Sequence, residues 1–263
     1  MNNNFIDEIR ENGIVKIKNF LSPDELTKLS NIVRFYKVPK GDKKSIFITS
    51  FKVLLIKLLK LDIKRILDTY ELMKLSKNKN LDKIAKEFFN KQVKLVQIDG
   101  YYSKVSNKEI LPWHTDKAYA EKKISEEKFI HPEDISLKFF IYLTNVSPNN
   151  GCMSYIPKSH KIGYAIRSAI YNKEIPYQPY YHIKDFAEII KTNRNFFINK
   201  LGSEIIENFL EETKIENSIN TTNKFDYTAE AGSMIIFNEG GVHRGSKPSL
   251  NDRMVIRYFF STI

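Results

Sequence analysis

Leu111-Pro112-Trp113-His114-Thr115-Asp116 is the stretch on which the reading of this chain turns. An imidazole and a carboxylate stand two residues apart just after a segment of β-like composition, and in extended chain residues i and i+2 project to the same side. His114 and Asp116 can therefore converge on one cation. A third candidate ligand, His243, lies far along the chain in Phe237-Asn238-Glu239-Gly240-Gly241-Val242-His243-Arg244-Gly245, after an apolar run and across a Gly-Gly turn. Two histidines and one carboxylate on one face of a metal leave the opposite face open, a donor set that suits non-haem Fe(II). A bare His-x-Asp pair says little in a chain with 5 His and 31 acidic residues, so its weight comes from context.

That context begins ten positions after His243. Arg253 heads Arg253-Met254-Val255-Ile256-Arg257-Tyr258-Phe259-Phe260, whose aromatic and β-branched content reads as a buried strand. A guanidinium entering such an interior needs an anion, because an unpaired buried charge is costly. A dicarboxylic acid held bidentately is a suitable one. Arg257, on the same strand face, competes for this role.

Taken in order, Trp113-His114-Thr115-Asp116, Gly151-Cys152-Met153-Ser154-Tyr155-Ile156-Pro157-Lys158-Ser159-His160-Lys161, and the segment from His243 to Arg253 resemble the phytanoyl-CoA dioxygenase-like family of Fe(II)/2-oxoglutarate oxygenases. The N-terminus agrees, since Asn12-Gly13-Ile14-Val15-Lys16-Ile17-Lys18-Asn19-Phe20-Leu21-Ser22-Pro23-Asp24-Glu25-Leu26 is similar to that family's opening strand and first helix. Two positions depart from the pattern: Thr115 replaces the Gln often found between the ligands, and Lys158 stands where Gly is usual. Neither is a ligand, so substrate preference and loop shape are what they bear on.

The resemblance implies a double-stranded β-helix, the cupin-like jelly roll, where pattern alone gives α+β with a late antiparallel core. It implies Fe(II) held by His114, Asp116 and His243, with 2-oxoglutarate and O2 as cosubstrates. The far carboxylate of 2-oxoglutarate would pair with Arg253, and Ser246 is a candidate helper that serves equally well as a turn residue. The implied reaction is hydroxylation of a small molecule with release of succinate and CO2. A carboxylate at Asp116 fills the position that halide occupies in halogenating relatives. Trp113 reads as packing and His160 as structural, while His131 and His182 lack partner spacing. Tyr102, Lys104 and Tyr119 are candidates to face the substrate. Rival readings are a metal-free barrel serving as a binding module, a Zn(II) cupin-like hydrolase or isomerase, and an oxidative demethylase or desaturase using the same site. Arg253 has no evident task in the zinc case.

Composition narrows the rest. At 42% hydrophobic and 13% aromatic, 263 residues suffice for one sizeable core, and a barrel of this length is commonly a single domain. No uncharged apolar run is long enough to span a membrane, no leader is visible, and a single cysteine, Cys152, forms no internal disulfide. These features predict a cytoplasmic protein. The net charge of +11 invites a polyanion partner, but the lysines are scattered, often beside glutamates, and form no basic stripe interleaved with aromatics. Nucleic acid is not expected, although a basic rim would steer an anionic substrate.

Local patterns place the elements. Residues 14–18 alternate as a strand. Ser22, Pro23 and Glu25 form a capping box that opens a helix. Phe51, Leu54, Leu55, Leu58 and Leu59 mark an amphipathic helix, and two more cover residues 62–75 and 81–90. Residues 92–103 are β-like, 117–134 an edging loop, and 137–143 a buried strand paired as a hairpin with 152–156. Residues 161–224 are helix-leaning and read as an insertion over the barrel mouth. Strands near 225–227, 233–237, 242–245 and 253–260 complete one domain spanning 1–263.

Overall fold

The structure, a computed structural model, describes residues 4–35, 63–106, 111–116, 136–148, 150–176, 183–214 and 225–263. The amphipathic helix around Phe51, the loop at 117–134, and Tyr119, His131 and His182 lie outside the described residues.

The chain opens with α1 (Asn4–Asn12), which the sequence reading missed although Ile6 and Ile9 are buried from it. Strand β1 (Ile14–Ile17) leads to α2 (Pro23–Phe35). The capping box is present in both directions: the Ser22 N–H donates to Glu25 Oε2 at 2.8 Å, and the Glu25 N–H to Ser22 Oγ at 3.3 Å. Helix α3 (Ile63–Asn78) runs three residues past the end expected at 75, and Asn80, at φ 55, makes the left-handed turn into α4 (Leu81–Phe89). Asparagine tolerates that conformation better than most residues.

Among the described residues nine strands, β1 included, form two antiparallel sheets. Beyond β1 they are β2 (Val93–Ser103), β3 (Leu111–His114), β4 (Leu137–Tyr142), β5 (Met153–Tyr155), β6 (Asp226–Tyr227), β7 (Met234–Asn238), β8 (His243–Gly245) and β9 (Arg253–Thr262). One sheet has the order β1-β7-β4-β9-β2 and the other β3-β8-β5-β6. Together they form the jelly roll.

Strand alternation assigns every side chain of the larger sheet to one of two surroundings. Leu137, Phe139, Ile141, Met234, Ile236, Met254, Ile256, Tyr258 and Phe260 face the N-terminal helices and share a core with Leu29, Val33, Leu72 and Phe88. Phe139 and Phe260, on adjacent strands, meet edge to face at 5.3 Å. The opposite face looks toward the smaller sheet, where Ile235, Phe237 and Val255 pack with Met153 and Tyr155. Lys138, Phe140, Arg253 and Arg257 lie on this inner side and line a cavity between the sheets.

One expectation fails here. The hairpin between 137–143 and 152–156 does not form: β4 pairs with β7 and β9, while β5 pairs with β6 and β8. Both edges of β4 are taken, so the turn at Gly151 carries the chain across to the other sheet. The helical segment, α5 (Ser159–Tyr171), α6 (Ile183–Thr192), α7 (Arg194–Leu201) and α8 (Ser203–Glu212), was expected over the barrel mouth. The apolar faces of its described helices pack against Trp113, Ile156, Phe225 and Val242 on the outside of the smaller sheet. None of its described residues lines the cavity. Among the described residues no helix is long and apolar enough to cross a membrane.

Candidate metal centre

Strands β3 and β8 lie side by side, and their register sets His114 directly opposite His243. The imidazole rings are 4.4 Å apart at their centroids. Asp116, two residues beyond His114, brings Oδ1 to 3.4 Å from His114 Nε2 and Oδ2 to 3.5 Å from His243 Nε2. One ligand atom from each of the three residues lies within 4.8 Å of the others, so a single ion can be held by all three.

The protonation states favour a cation. His243 Nδ1 is 2.8 Å from the Gly241 carbonyl, which only accepts, so Nδ1 carries the proton and Nε2 keeps its lone pair toward Asp116. Burial, followed by the proximity of His114, lowers the His243 pKa and so favours the neutral ring, against the raising effect of Asp116. Burial raises the Asp116 pKa, but the Lys138 ammonium, with the two histidines beside it, outweighs this and holds the carboxyl well below its ordinary range. Neutral imidazole and ionised carboxylate are the forms in which these groups bind metal.

Lys138 was not singled out from the sequence. It sits in the middle of β4 with its ammonium on Asp116 Oδ2 and 3.1 Å from Glu239 Oε2. Burial opposes its charge, yet Asp116 and Glu239 raise its pKa overall. The available signal was a single lysine interrupting the apolar run Leu137-Lys138-Phe139-Phe140, at the parity of the inner face.

The two arginines of β9 are in different electrostatic situations. Arg257 binds Asp99 bidentately at 2.6 and 2.7 Å, donates to Tyr101 Oη at 2.5 Å, and stacks its guanidinium 4.1 Å from the Tyr101 ring centroid. Among the described residues Arg253 donates to the Gly151 carbonyl, 2.9 Å from Nη1, and its buried Nε has no partner. Gly151 makes room for it: the backbone is at φ +75, and a Cβ there would stand 2.7 Å from Arg253 Cδ. Both arginines, the three candidate ligands, Lys138, Tyr101, Phe140, Tyr142 and Met153 line one cavity of about 210 Å³.

The remaining sequence candidates fall elsewhere. Tyr102 packs in the helix-side core and donates to Asp252 Oδ2 at 2.5 Å, and neither it nor Lys104 lines the cavity. The reason is a bulge between Leu95 and Gln97 in β2, which reverses the phase set by Val93 and Leu95 and turns Tyr101 inward. Ser246 uses its hydroxyl on the Cys152 carbonyl at 2.9 Å and is absent from the lining. Trp113 is buried on the outer side of the smaller sheet beneath the Arg244 guanidinium. His160 Nε2 contacts the Arg10 carbonyl at 3.2 Å, the structural placement expected of it.

Comparison with known proteins now has a geometry to meet. The family model described as phytanoyl-CoA dioxygenase (PhyH) matches residues 9–255. No curated protein sequence matches the chain significantly. Among solved structures, the non-haem α-ketoglutarate-dependent carbocyclase SnoK from nogalamycin biosynthesis aligns with TM-score 0.59 at 14% identity, over 100% of this chain and 84% of that one. HygX from Streptomyces hygroscopicus, solved with nickel and 2-oxoglutarate bound, aligns with TM-score 0.56 at 13% identity, over 100% and 87%. The epimerase SnoN, solved with Fe3+, α-ketoglutarate and nogalamycin RO, aligns with TM-score 0.55 at 13% identity, over 98% and 82%. At these identities the likeness is one of fold.

Proposed function

We propose, on the premise that the chain belongs to the phytanoyl-CoA dioxygenase family of Fe(II)/2-oxoglutarate-dependent enzymes, that it hydroxylates a small molecule at the site between its sheets. His114, Asp116 and His243 would hold the iron, and Arg253 would receive the far carboxylate of 2-oxoglutarate. The observation that carries this reading is the co-location, in one cavity, of a facial donor set and an arginine whose buried Nε lacks a partner.

Charge supports it. Among the described residues, Lys138, Arg244, Arg253 and Arg257 line the cavity, and Asp99, Asp116, Asp226 and Glu239 are the acids that line it or pair with those bases, so these two sets cancel. A divalent cation and a dicarboxylate dianion added together preserve that balance, whereas either alone leaves an uncompensated buried charge. Bound there, the metal and cosubstrate supply activated dioxygen for removal of a substrate hydrogen, with succinate and CO2 released. The chain's own part is to favour the neutral form of His243, hold Asp116 ionised and anchor the diacid. Asp116 fills the position a halide would need, which argues against halogenation.

Anaerobic addition of Fe(II) and then 2-oxoglutarate to the apoprotein should produce a weak visible metal-to-ligand charge-transfer band. His114→Ala should stay folded and lose it. If folded parent protein gives no band, the assignment of this site is wrong. Succinate release with stoichiometric hydroxylated product then separates hydroxylation from other outcomes of the same chemistry.

A further inference from the structure

The two segments that carry the candidate ligands are far apart in sequence, and the ladder between them is short. Strands β3 and β8 are in register at Leu111–Gly245 and His114–His243, with an irregularity between. Asp116 lies beyond the end of β3. The spacing of the three ligands therefore depends on contacts other than ladder hydrogen bonds, and those contacts converge on the turn at 239–241.

Thr115, between His114 and Asp116, is 1% exposed and absent from the cavity lining. Its hydroxyl lies 2.7 Å from the Gly240 carbonyl oxygen, and since a carbonyl has no proton to give, Thr115 donates. The next residue continues the join, as the Asp116 N–H donates to the Glu239 carbonyl at 3.1 Å. Glu239 Oε1 accepts the Ser136 N–H at 2.8 Å, and its other oxygen meets Lys138, which also reaches Asp116.

The far side of the turn is held as firmly. A Cβ on Gly163 in α5 would come within 2.1 Å of the Gly240 carbonyl oxygen, so helix and turn are in direct backbone contact. The Val242 N–H donates to Ser159 Oγ at 2.7 Å, and a Cβ on Gly241 would overlap Tyr155 Oη at 1.9 Å. The Gly240 carbonyl is thus pressed between α5 and Thr115, and His243 follows three residues later.

We infer that Thr115 is a positioning residue of the metal centre: its hydroxyl, tied to the Gly240 carbonyl, sets the separation of His114 and Asp116 from His243 before any metal arrives. This rests on the metal-site reading above. Read from the sequence as a departure bearing on substrate preference, Thr115 is turned away from the cavity, and its role is in the geometry of the ligands. A preorganised donor set loses less freedom on binding, so removing the tie weakens metal affinity and alters the ligand field.

The test uses the full-length apoprotein and Co(II) as the probe, reading the dissociation constant and the visible d–d band alongside the melting temperature. Thr115→Ser keeps the donor and should stay within about threefold of the parent, whereas Thr115→Val should bind Co(II) roughly 10–100-fold more weakly with a shifted band. Thr115→Ala, which leaves room for water at the Gly240 carbonyl, should show the same loss and decides the matter alone if the valine variant does not fold. Parent-like affinity and an unshifted band in folded Val or Ala variants, whatever the melting temperature, would reduce Thr115 to a packing role and overturn the inference. Failure of the parent itself to bind Co(II) would overturn the metal-site reading and this inference with it.

Discussion

The two faces of the larger sheet are made by the same strands and obey opposite rules. On the helix side β4 presents Leu137, Phe139 and Ile141, and β9 presents Met254, Ile256, Tyr258 and Phe260, all within one apolar core. One residue along, β4 presents Lys138 and β9 presents Arg253 and Arg257 to a cavity. Hydrocarbon on the first face contributes folding free energy through burial and packing. Charge on the second face costs free energy unless it is paired, so each buried ion needs a partner or a ligand to explain it. Function is therefore to be sought on the face where the pairing is incomplete.

The comparison can be broken first on its apolar side. Phe139→Ala removes a fully buried ring in edge contact with Phe260 and should cost about 3–5 kcal/mol of stability in denaturant unfolding. An effect under about 1 kcal/mol would mean that this face is not the principal core. Next comes the paired ion on the charged side. Asp99→Asn leaves Arg257 without its counter-charge and should destabilise the fold by about 3 kcal/mol, with Arg257→Met in the same background recovering part of the loss. No recovery would show that Asp99 acts through Gln97 instead, whose amide donates to it at 2.5 Å.

A buried polar group away from the cavity should report on stability alone. Burial, with a smaller contribution from Lys161, lowers the His160 pKa to about 4, against a favourable hydrogen bond to Arg10 and the Glu11 charge. Since the folded value lies below the unfolded one, the unfolded chain binds the extra proton between these two values. Stability from this group is complete above pH about 6.5 and is lost as pH falls toward 4, by at most about 3 kcal/mol. His160→Gln should flatten that segment of the stability–pH curve, and an unchanged slope would remove His160 as its source.

The same contrast explains what the sequence did and did not disclose. His114, Asp116, His243 and Arg253 could be grouped from residue type and order alone, and the structure brings all four to one cavity. The capping box at Ser22 was legible because it is a local pattern of three residues. Tyr102 was misread, since a single-residue bulge near Val96 reverses which face a strand residue occupies and leaves no mark in composition. Lys138 and Glu239 went unread because their meaning lies in a contact between β4 and the turn after β7. The β4–β5 hairpin was assumed from proximity in sequence, whereas pairing in a jelly roll is decided by which edges other strands have already occupied.

The most direct test uses the two arginines four residues apart on β9, of which, among the described residues, Arg257 has a carboxylate partner and Arg253 does not. Arg253→Met should raise the dissociation constant for 2-oxoglutarate, measured anaerobically on the Fe(II)-loaded protein, by about 30-fold, on the order of 2 kcal/mol. Its melting temperature should be equal to or above that of the parent, because a buried guanidinium with an orphaned Nε is removed. Unchanged 2-oxoglutarate affinity together with a clear loss of thermal stability would contradict the account, placing Arg253 with the structural ions and leaving the cavity without its anion-binding residue.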